Sequence, residues 1–300
     1  MNYLKLYIDF LKNFIKIERP IKVVFDCSNG TTGIILSKLF RKSKINAMFI
    51  NDEPDGNFPA HGPNPLAKGA TRQLEKEVRK PRRWVGAPTA ERVGADLGVI
   101  FDADGDRVFF VDNRGRLVES HESGYILIQI FKPPYVAGII SSWRITKMPK
   151  IWISRVGHYF FKKLMREKKA SLGVEHSGHY YFKKFFYCDS GILAAIEVIN
   201  FVSGLKTDFA SWLDKLPKYY RSGEINFEIR DKEKVLAKVE RLFKKSAKKI
   251  IKMDGLTMEF SEWWFNLRLS NTENLIRLNL EAVDQKILKQ KLKEIKKLVC

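Results

Sequence analysis

The sequence predicts two consecutive α/β domains with mixed sheets, followed by a smaller α+β domain. Up to about residue 204, apolar runs rich in Val, Ile and Phe alternate with stretches of helical periodicity, which is typical of α/β units. After about residue 205, several short apolar runs follow one another, which favours an antiparallel sheet. We therefore expect three domains, at residues 1–112, 113–204 and 205–300.

A helix opens the predicted first domain, because apolar residues recur at helical spacing on one face, at Leu4, Tyr7, Ile8, Leu11, Phe14 and Ile15. The elements expected after it are strand 21–26, helix 33–41, strand 46–50, helix 67–80 and strand 95–101. Residues 81–94 do not continue the preceding helix and look like an insertion. The turn at residues 27–33 contains glycines but matches neither the dinucleotide nor the P-loop fingerprint, so we interpret it as structural.

The two later domains are expected to differ in how their strands are connected. The elements expected in the second domain are helix 122–131, strands 136–140 and 151–153, helix 159–167 and helix 191–202. Residues 144–150 are too few for an ordinary crossover helix, which needs about ten residues. The elements expected in the third domain are strand 225–229, helix 232–245, strands 256–260, 263–267 and 275–280, and helix 284–298.

The formal net charge of +20 is compatible with nucleic acid, with an anionic small molecule, or with a basic surface that meets only solvent. The basic residues are spread along the chain without a stacking-aromatic motif, which argues against nucleic acid. Cys27, Cys188 and Cys300 lie far apart, so we expect no disulfide framework and a reducing, cytoplasmic location. No apolar run approaches the roughly 18 residues of a membrane-spanning helix, so we expect no membrane partner.

Three aspartates at alternate positions, Asp102, Asp104 and Asp106, lie between two apolar runs that are typical of strands. Their charges repel one another unless a cation lies between them. Carboxylate oxygens are the ligands that suit Mg²⁺, usually together with phosphate oxygens of a substrate. Arg107 adds a planar guanidinium that can hold a phosphate beside the metal.

Three other interpretations of this aspartate loop have to be weighed. A solvated acidic turn is disfavoured, because the apolar flanks place the loop at the ends of strands. An EF-hand needs helical flanks and a glutamate at its twelfth position, which here is Asn113. A phosphatase of the haloacid-dehalogenase type also places Asp-x-Asp after an apolar strand, and the loop by itself does not exclude it.

A second polar loop contains Glu175, Ser177 and His179, which point to one side if the backbone is extended there. A carboxylate, a hydroxyl and an imidazole on one edge suit a polyol such as a sugar, and an ordinary surface hairpin is the alternative. A zinc site built from His176 and His179 lacks a third ligand at suitable spacing.

A third polar loop lies between two predicted strands of the last domain. Its side chains of interest are Arg268, Ser270, Asn271 and Thr272. A guanidinium, hydroxyls, an amide and the N–H groups of a turn form a cradle for an anion, although an ordinary hairpin turn is the alternative. Ser270 lacks the Gly-x-Ser-x-Gly elbow of a nucleophile. His158 follows a glycine at the start of a helix and is either an acid/base or a cap-region histidine.

Taken together and in this order, the three loops resemble those of the α-D-phosphohexomutase family. FDADGDR resembles its Mg²⁺ loop, GVEHSGH its sugar-recognition loop and RLSNTEN its phosphate-binding loop. PDGNFP, SRVGH and DKLPKYYRSGEINFEI also resemble family segments, and the ordered set covers residues 20–283. The resemblance disposes of the phosphatase interpretation, which has no place for the two later loops.

The resemblance implies four domains around a central cleft, on which the three loops converge. It also implies reversible transfer of phosphate between C1 and C6 of a hexose, through a bisphosphate intermediate and a phosphoserine on the first domain. The three aspartates would hold Mg²⁺, Arg107 would contact the phosphoryl group, and His158 would lie near the sugar as a proton shuttle. The residues that would bind sugar hydroxyls are Glu175, Ser177 and His179, and those that would clamp the other phosphate are Arg268, Ser270, Asn271 and Thr272.

The chain also departs from the family pattern. The family's serine loop, Thr-Ala-Ser-His-Asn-Pro, occurs nowhere in the 300 residues. We therefore expect a fragment that holds the second to fourth domains, binds a phosphorylated hexose, has little activity alone, and could be completed by a separate chain that supplies the first domain. The alternatives are a non-catalytic phosphosugar-binding or partner protein and, with less support, a basic nucleic-acid binder.

Overall fold

The computed structural model describes residues 2–41, 43–84, 92–270 and 274–299, and it contains three five-stranded sheets within those ranges. The backbone clusters into two compact units. The first unit comprises Met1–Val136 and Lys162–Leu216, and the second comprises Ala137–Phe161 and Pro217–Cys300. Each unit is described by itself below.

The first sheet lies in the first unit and has the strand order β2–β1–β3–β4–β5. Its strands and the helices around it are α1 (Tyr3–Lys12), β1 (Ile21–Asp26), α2 (Thr32–Leu39), β2 (Ile45–Ile50), α3 (Arg72–Arg79), β3 (Leu97–Phe101), β4 (Val108–Asp112), β5 (Leu117–Val118) and α4 (Ser120–Ile130). Strand β1 is parallel to its neighbours β2 and β3. Strand β4 is antiparallel to its neighbours β3 and β5. The mixed sheet predicted for this part of the chain is confirmed.

Burial explains why these segments fold as they do. All residues of β3 and β4 are buried, which agrees with their continuous apolar sequence. Helix α1 buries Ile8 and Leu11 on the face that the spacing predicted. Helix α3 begins five residues later than predicted, because the preceding residues form turns. Burial raises the pKa of the Cys27 thiol to about 12, so this cysteine acts as an apolar core residue.

Strands β6 (Tyr135–Gly138), β7 (Ile151–Ser154), β8 (Leu172–Val174), β9 (Tyr180–Phe182) and β10 (Cys188–Asp189) belong to the second sheet. The helices of this part of the chain are α5 (Trp143–Thr146), α6 (His158–Lys168), α7 (Gly191–Ser203) and α8 (Phe209–Asp214). Strands β8, β9 and β10 form an antiparallel meander in the first unit. As expected from its length, the connection after β6 holds only the four-residue helix α5, which Ser142 caps by accepting a hydrogen bond from the backbone N–H of Arg144.

The third sheet lies in the second unit and is antiparallel throughout, with the strand order β11–β15–β14–β13–β12. Its elements are β11 (Tyr220–Glu228), α9 (Lys232–Phe243), β12 (Lys249–Ile251), β13 (Leu256–Glu259), β14 (Trp263–Leu269), β15 (Leu275–Ala282) and α10 (Gln285–Val299). Helices α9 and α10 pack on it through a core that includes Phe243, Phe265 and Ile295. The predicted α+β class of this domain is therefore confirmed.

The sequence missed some elements and misjudged others. Edge strand β12 was not predicted, because it is only three residues long and is flanked by Lys248 and Lys252, which interrupt the apolar pattern. Half of the predicted insertion at residues 81–94, residues 85–91, lies outside the described residues, and Arg82 and Val93 near its ends form a β-bridge. Among the described residues, no helix combines the length and the apolar character needed to cross a membrane.

The glycine-containing turn after β1 supports the aspartate loop. The backbone N–H of Thr31 donates a hydrogen bond of 2.9 Å to the carbonyl oxygen of Ala103, and Ser28 Oγ donates one of 2.5 Å to the carbonyl oxygen of Phe101. A Cβ atom on Gly30 would lie 2.2 Å from the Ala103 oxygen. The turn therefore has a structural role, because its contacts fix the position of the aspartate loop.

We predict that Gly30→Ala lowers the free energy of unfolding by about 1–3 kcal/mol, because backbone on both sides of the contact has to move. The matched control is Gly56→Ala, whose added Cβ would meet nothing within 4 Å and should change stability by less than about 1 kcal/mol. Urea unfolding followed by circular dichroism measures both values. Equal effects of the two substitutions would contradict the proposed support.

Candidate functional site

The aspartate loop joins the ends of β3 and β4, where Phe101 pairs with Val108. One carboxylate oxygen from each of Asp102, Asp104 and Asp106 lies within 4.8 Å of the others. Asp102 is buried, Asp106 is half-buried and Asp104 is exposed, so the group opens toward solvent on one side. Three carboxylates at this spacing, with hard oxygen donors and an open side, fit Mg²⁺ and leave room for further oxygen ligands.

Asp102 is the structural anchor of this loop. Its Oδ1 accepts hydrogen bonds of 3.1 Å from the backbone N–H groups of Gly105 and Arg107, and its Oδ2 accepts one of 2.6 Å from Arg107 Nε. Burial raises the pKa of Asp102 to about 6, although the bonds from Arg107 act in the opposite direction. The negative charge of Asp106 contributes to this rise in the pKa of Asp102. A cation between the carboxylates would relieve this repulsion.

Sequence reasoning missed the second support of Arg107. The Arg107 guanidinium also donates, through Nη1, a hydrogen bond of 3.1 Å to Asn64 Oδ1 in the long loop between β2 and α3. Asn64 belongs to a segment of turn-forming residues, and nothing in that local pattern shows a contact with a residue 43 positions away. Held by Asp102 and Asn64, the guanidinium plane is fixed beside the carboxylates, where a phosphoryl group could meet it.

The second polar loop is a tight turn, and the extended backbone predicted for it is wrong. The backbone N–H of Glu175 donates to the carbonyl oxygen of His179 at 3.0 Å, and Gly178 adopts a φ of +91°. The turn nevertheless brings the three side chains together. Ser177 Oγ lies 2.8 Å from His179 Nδ1, and Glu175 Oε2 lies 3.7 Å from the same nitrogen.

Glu175 is buried, and a hydrogen bond fixes its carboxylate. The hydroxyl of Tyr181 donates a hydrogen bond of 2.8 Å to Glu175 Oε2, the oxygen that also faces His179. A carboxylate has a second oxygen, so Glu175 keeps further capacity to accept a hydrogen bond. The Nδ1 atom of His176 lies 3.1 Å from Oγ of Ser120, the first residue of α4.

The two loops meet within the first unit. His179 Nε2 lies 3.3 Å from Asp106 Oδ1, and the backbone N–H of Val108 donates to the carbonyl oxygen of Gly178 at 3.2 Å. The N-terminal residue of α7, Gly191, donates its N–H to the carbonyl oxygen of Gly105 at 3.0 Å. Burial opposes protonation of His179, but the hydrogen bond and charge of Asp106, together with the charges of Glu175 and Asp189, raise its pKa above the ordinary value.

The third polar loop belongs to the second unit. Arg268 Nη2 lies 3.4 Å from Glu224 Oε2, and Ser270 is buried at the end of β14, where its N–H donates to the carbonyl oxygen of Leu275. Asn271 and Thr272 lie outside the described residues. His158 is the first residue of α6 and also belongs to the second unit. Its predicted role near the sugar, and the convergence of this loop with the other two, stay predictions.

A cavity of about 770 Å³ adjoins this loop in the second unit. Its charged lining includes Arg155, Lys252, Asp254 and Arg268. Glu233 and Glu240 line the cavity as well, so its cations and carboxylates are equal in number. Its volume is sufficient for a phosphosugar. Arg155 was not among the predicted site residues, although it lies in the SRVGH segment whose resemblance to the family was noted above.

Family models match almost the whole chain. The model for phosphoglucomutase/phosphomannomutase alpha/beta/alpha domain II matches residues 5–115, that for domain III matches residues 143–220, and that for the C-terminal domain matches residues 224–298. The chain belongs to the phosphoglucomutase/phosphomannomutase family. The aspartate loop, the Glu175–His179 turn and the Arg268 loop each lie in a different matched domain. The predicted domain boundaries themselves stay predictions.

Curated relatives and solved structures agree with this membership. The chain is 37% identical over 288 residues to a phosphomannomutase of Methanocaldococcus jannaschii, covering 93% of this chain and 61% of that protein. It is 32% identical to a phosphomannomutase of Escherichia coli K12, covering 94% of this chain and 63% of that protein. A phosphoglucomutase/phosphomannomutase family protein from Burkholderia thailandensis superposes with a TM-score of 0.82 at 23% identity, over 98% of this chain and 63% of that protein.

One solved neighbour shows ligands in a related fold. N-acetylphosphoglucosamine mutase from Aspergillus fumigatus, described in complex with GlcNAc-6P and magnesium, superposes with a TM-score of 0.64 at 14% identity. The superposition covers 99% of this chain and 68% of that protein. At this identity the likeness establishes the fold. The chain spans little more than three fifths of the length of the curated relatives described above.

Proposed function

We propose that this chain carries the metal-binding, sugar-binding and phosphate-binding parts of a phosphohexomutase. The reaction would be the interconversion of hexose 1-phosphate and hexose 6-phosphate through a bisphosphosugar, of the phosphomannomutase/phosphoglucomutase type. The observation that carries the proposal is the contact between His179 Nε2 and Asp106 Oδ1, because it joins the carboxylate group to the polar turn in one site. The names of the relatives support the reaction class.

Phosphoryl transfer needs positioning and charge neutralisation more than covalent work by side chains. Asp102, Asp104 and Asp106 would hold Mg²⁺, which would supply positive charge to the transferred phosphoryl group. Arg107, fixed by Asp102 and Asn64, would add a second positive group on the same side.

The polar turn would bind the sugar. Glu175 accepts from Tyr181 through Oε2, so Oε1 would accept from a sugar hydroxyl, and Ser177 Oγ would bind a second one. A protonated His179, which Asp106 favours, would place a positive charge near the reacting phosphate. In the second unit, Arg155 and Arg268 would bind the phosphate at the other end of the sugar.

The phosphoryl-carrying serine loop of the family does not occur in these 300 residues, which span 61% of the Methanocaldococcus relative. A first domain that carries this loop would complete the reaction, and a separate polypeptide could supply it. If no such polypeptide exists, the same residues would serve a non-catalytic phosphosugar-binding protein, whose ligand would bind but not react.

We predict that the chain alone converts glucose 1-phosphate or mannose 1-phosphate at a rate near background, with Mg²⁺ and a hexose bisphosphate present. The loss of a covalent carrier usually costs several orders of magnitude in rate. A coupled assay for hexose 6-phosphate measures it. In a second assay, the separately produced first third of the Methanocaldococcus relative is added, to test whether it restores turnover. Robust turnover without that addition would contradict the assignment of the missing serine.

We further predict that Asp104→Asn abolishes Mg²⁺ binding as measured by titration calorimetry, because it removes the exposed member of the carboxylate group. The side chain is exposed, so the fold should be unaffected. Asp9→Asn is the matched control, since Asp9 is an exposed carboxylate on α1 that pairs with Lys12. Unchanged Mg²⁺ affinity in Asp104→Asn would show that the aspartate loop has been misinterpreted.

A further inference from the structure

Strand β2 forms one edge of the first sheet, with β1 as its neighbour. Its sequence, INAMFI, contains no charged residue and no proline, and it pairs with β1 in unbroken register from Ile45 to Ile50. Natural proteins usually protect an edge strand with lysine, proline or a bulge, because an open edge can pair with a strand of another chain. Strand β2 has none of these protections.

The backbone groups of β2 that face away from β1 can be identified from the ladder. The carbonyl oxygen of Ile50 accepts a hydrogen bond of 3.1 Å from the residue that follows β1. Because backbone groups alternate between the two sides of a strand, the odd-numbered residues Ile45, Ala47 and Phe49 face outward. The N–H of Ile45 donates to Ser43 Oγ at 3.2 Å. Within the described residues, the backbone groups of Ala47 and Phe49 have no hydrogen-bond partner.

A cavity of about 530 Å³ lies along this edge. Five consecutive residues of β2, from Ile45 to Phe49, line it. Successive side chains of a strand point to opposite faces, so a cavity that touches five residues in a row lies at the edge rather than over one face. The other described lining residues are Ser37, Phe40, Arg41 and Ser43, from α2 and the turn after it, and Arg82, Arg83 and Trp84, from the segment after α3.

The described lining of this cavity is cationic as well as apolar. It contains three arginines and no carboxylate. The charge of Arg82 is offset, because its Nη2 lies 2.8 Å from Glu77 Oε2. Arg41 and Arg83 are exposed and form no ion pair with any described residue. Two positive charges beside an open strand edge therefore favour an occupant that carries carboxylates.

We propose that β2 binds an extended, acidic segment of a partner protein, which adds a sixth strand to the first sheet. A partner strand would donate to the carbonyl oxygens of Ala47 and Phe49 and accept from their N–H groups, so that both kinds of backbone group are satisfied. Carboxylates on that strand would meet Arg41 and Arg83. None of these residues belongs to the three polar loops, so the inference does not depend on the function proposed for those loops.

Other occupants fit this edge less well. A phosphate or carboxylate ion, or the phosphate backbone of a nucleic acid, could accept from the two N–H groups but could not donate to the two carbonyl oxygens. A second copy of this chain would pair β2 with β2 and bring the arginines of both copies together. Like charges oppose such pairing, and each copy has a formal net charge of +20.

The test titrates the ¹⁵N-labelled full chain with an acetylated and amidated seven-residue peptide in which glutamate alternates with valine. We expect saturable binding, with downfield shifts and slower hydrogen exchange at the amides of Ala47 and Phe49. The amides of Asn46 and Met48, which face β1, should change little. One control peptide has lysine in place of glutamate. A second is methylated at every backbone nitrogen, so that it keeps its charges but cannot donate. Both controls should bind at least about tenfold more weakly.

Variants of the chain test the two parts of the site. Ala47→Pro removes an outward N–H without removing a bond to β1, so it should abolish binding, whereas Ala47→Val keeps that N–H and should bind normally. Arg41→Gln and Arg83→Gln should each weaken binding by about threefold to tenfold. Arg72→Gln, at an exposed arginine outside the cavity, should leave the affinity unchanged. Circular dichroism establishes that each variant is folded.

Three results would overturn the proposal. They are no binding of the glutamate peptide, equal binding of that peptide and either control peptide, and protection of the Ala47 and Phe49 amides that rises with protein concentration in the absence of peptide. The last result would identify a second copy of this chain as the occupant. The measurements on the wild-type chain decide the matter even if a variant fails to fold.

Discussion

Three carboxylates separated by single residues repel one another, and the contacts around the aspartate loop hold them close together despite this repulsion. Asp102 is fixed by Arg107, Asp106 faces His179, and Asp104 remains open to solvent. The backbone of the aspartate loop has little freedom to move, because Gly30 packs closely against Ala103 and the N–H of Gly191 donates to the carbonyl oxygen of Gly105. Residual repulsion is the physical reason that the loop should bind a divalent cation.

The same constraint explains why the Glu175–His179 turn lies where it does. Asp106 favours the protonated form of His179, and Ser177 and Glu175 fix the orientation of its ring through Nδ1. The proposed metal-binding and sugar-binding functions would therefore be coupled through one imidazole.

Much of the fold could be predicted from local sequence. A continuous apolar run marked β1 at its observed bounds, and the glycine-led apolar segment marked α7 to within a residue. Features that depend on distant contacts could not be predicted in this way. The turn at Gly178 needs a positive φ that alternation of polar residues does not reveal, and Asn64 supports Arg107 only because a long loop folds back.

The residues of the site were predicted better than their geometry. The residue types of Asp102, Asp104, Asp106 and Arg107 indicated a metal and a phosphate, whereas the hydrogen bonds that make Asp102 an anchor arise only in the folded loop. Arg155 escaped notice because a single arginine after a strand carries no local signal, and its neighbour Arg268 is more than 100 residues away in sequence.

The most direct measurement is a Mg²⁺ titration of the ¹⁵N-labelled chain, following the backbone amides of Gly105 and His179. If the carboxylate group and the polar turn form one site, both amide signals will move and will give the same dissociation constant. A shift of Gly105 at saturation with no change at His179 would contradict the coupling of the two loops, and the absence of any shift would contradict the metal site itself.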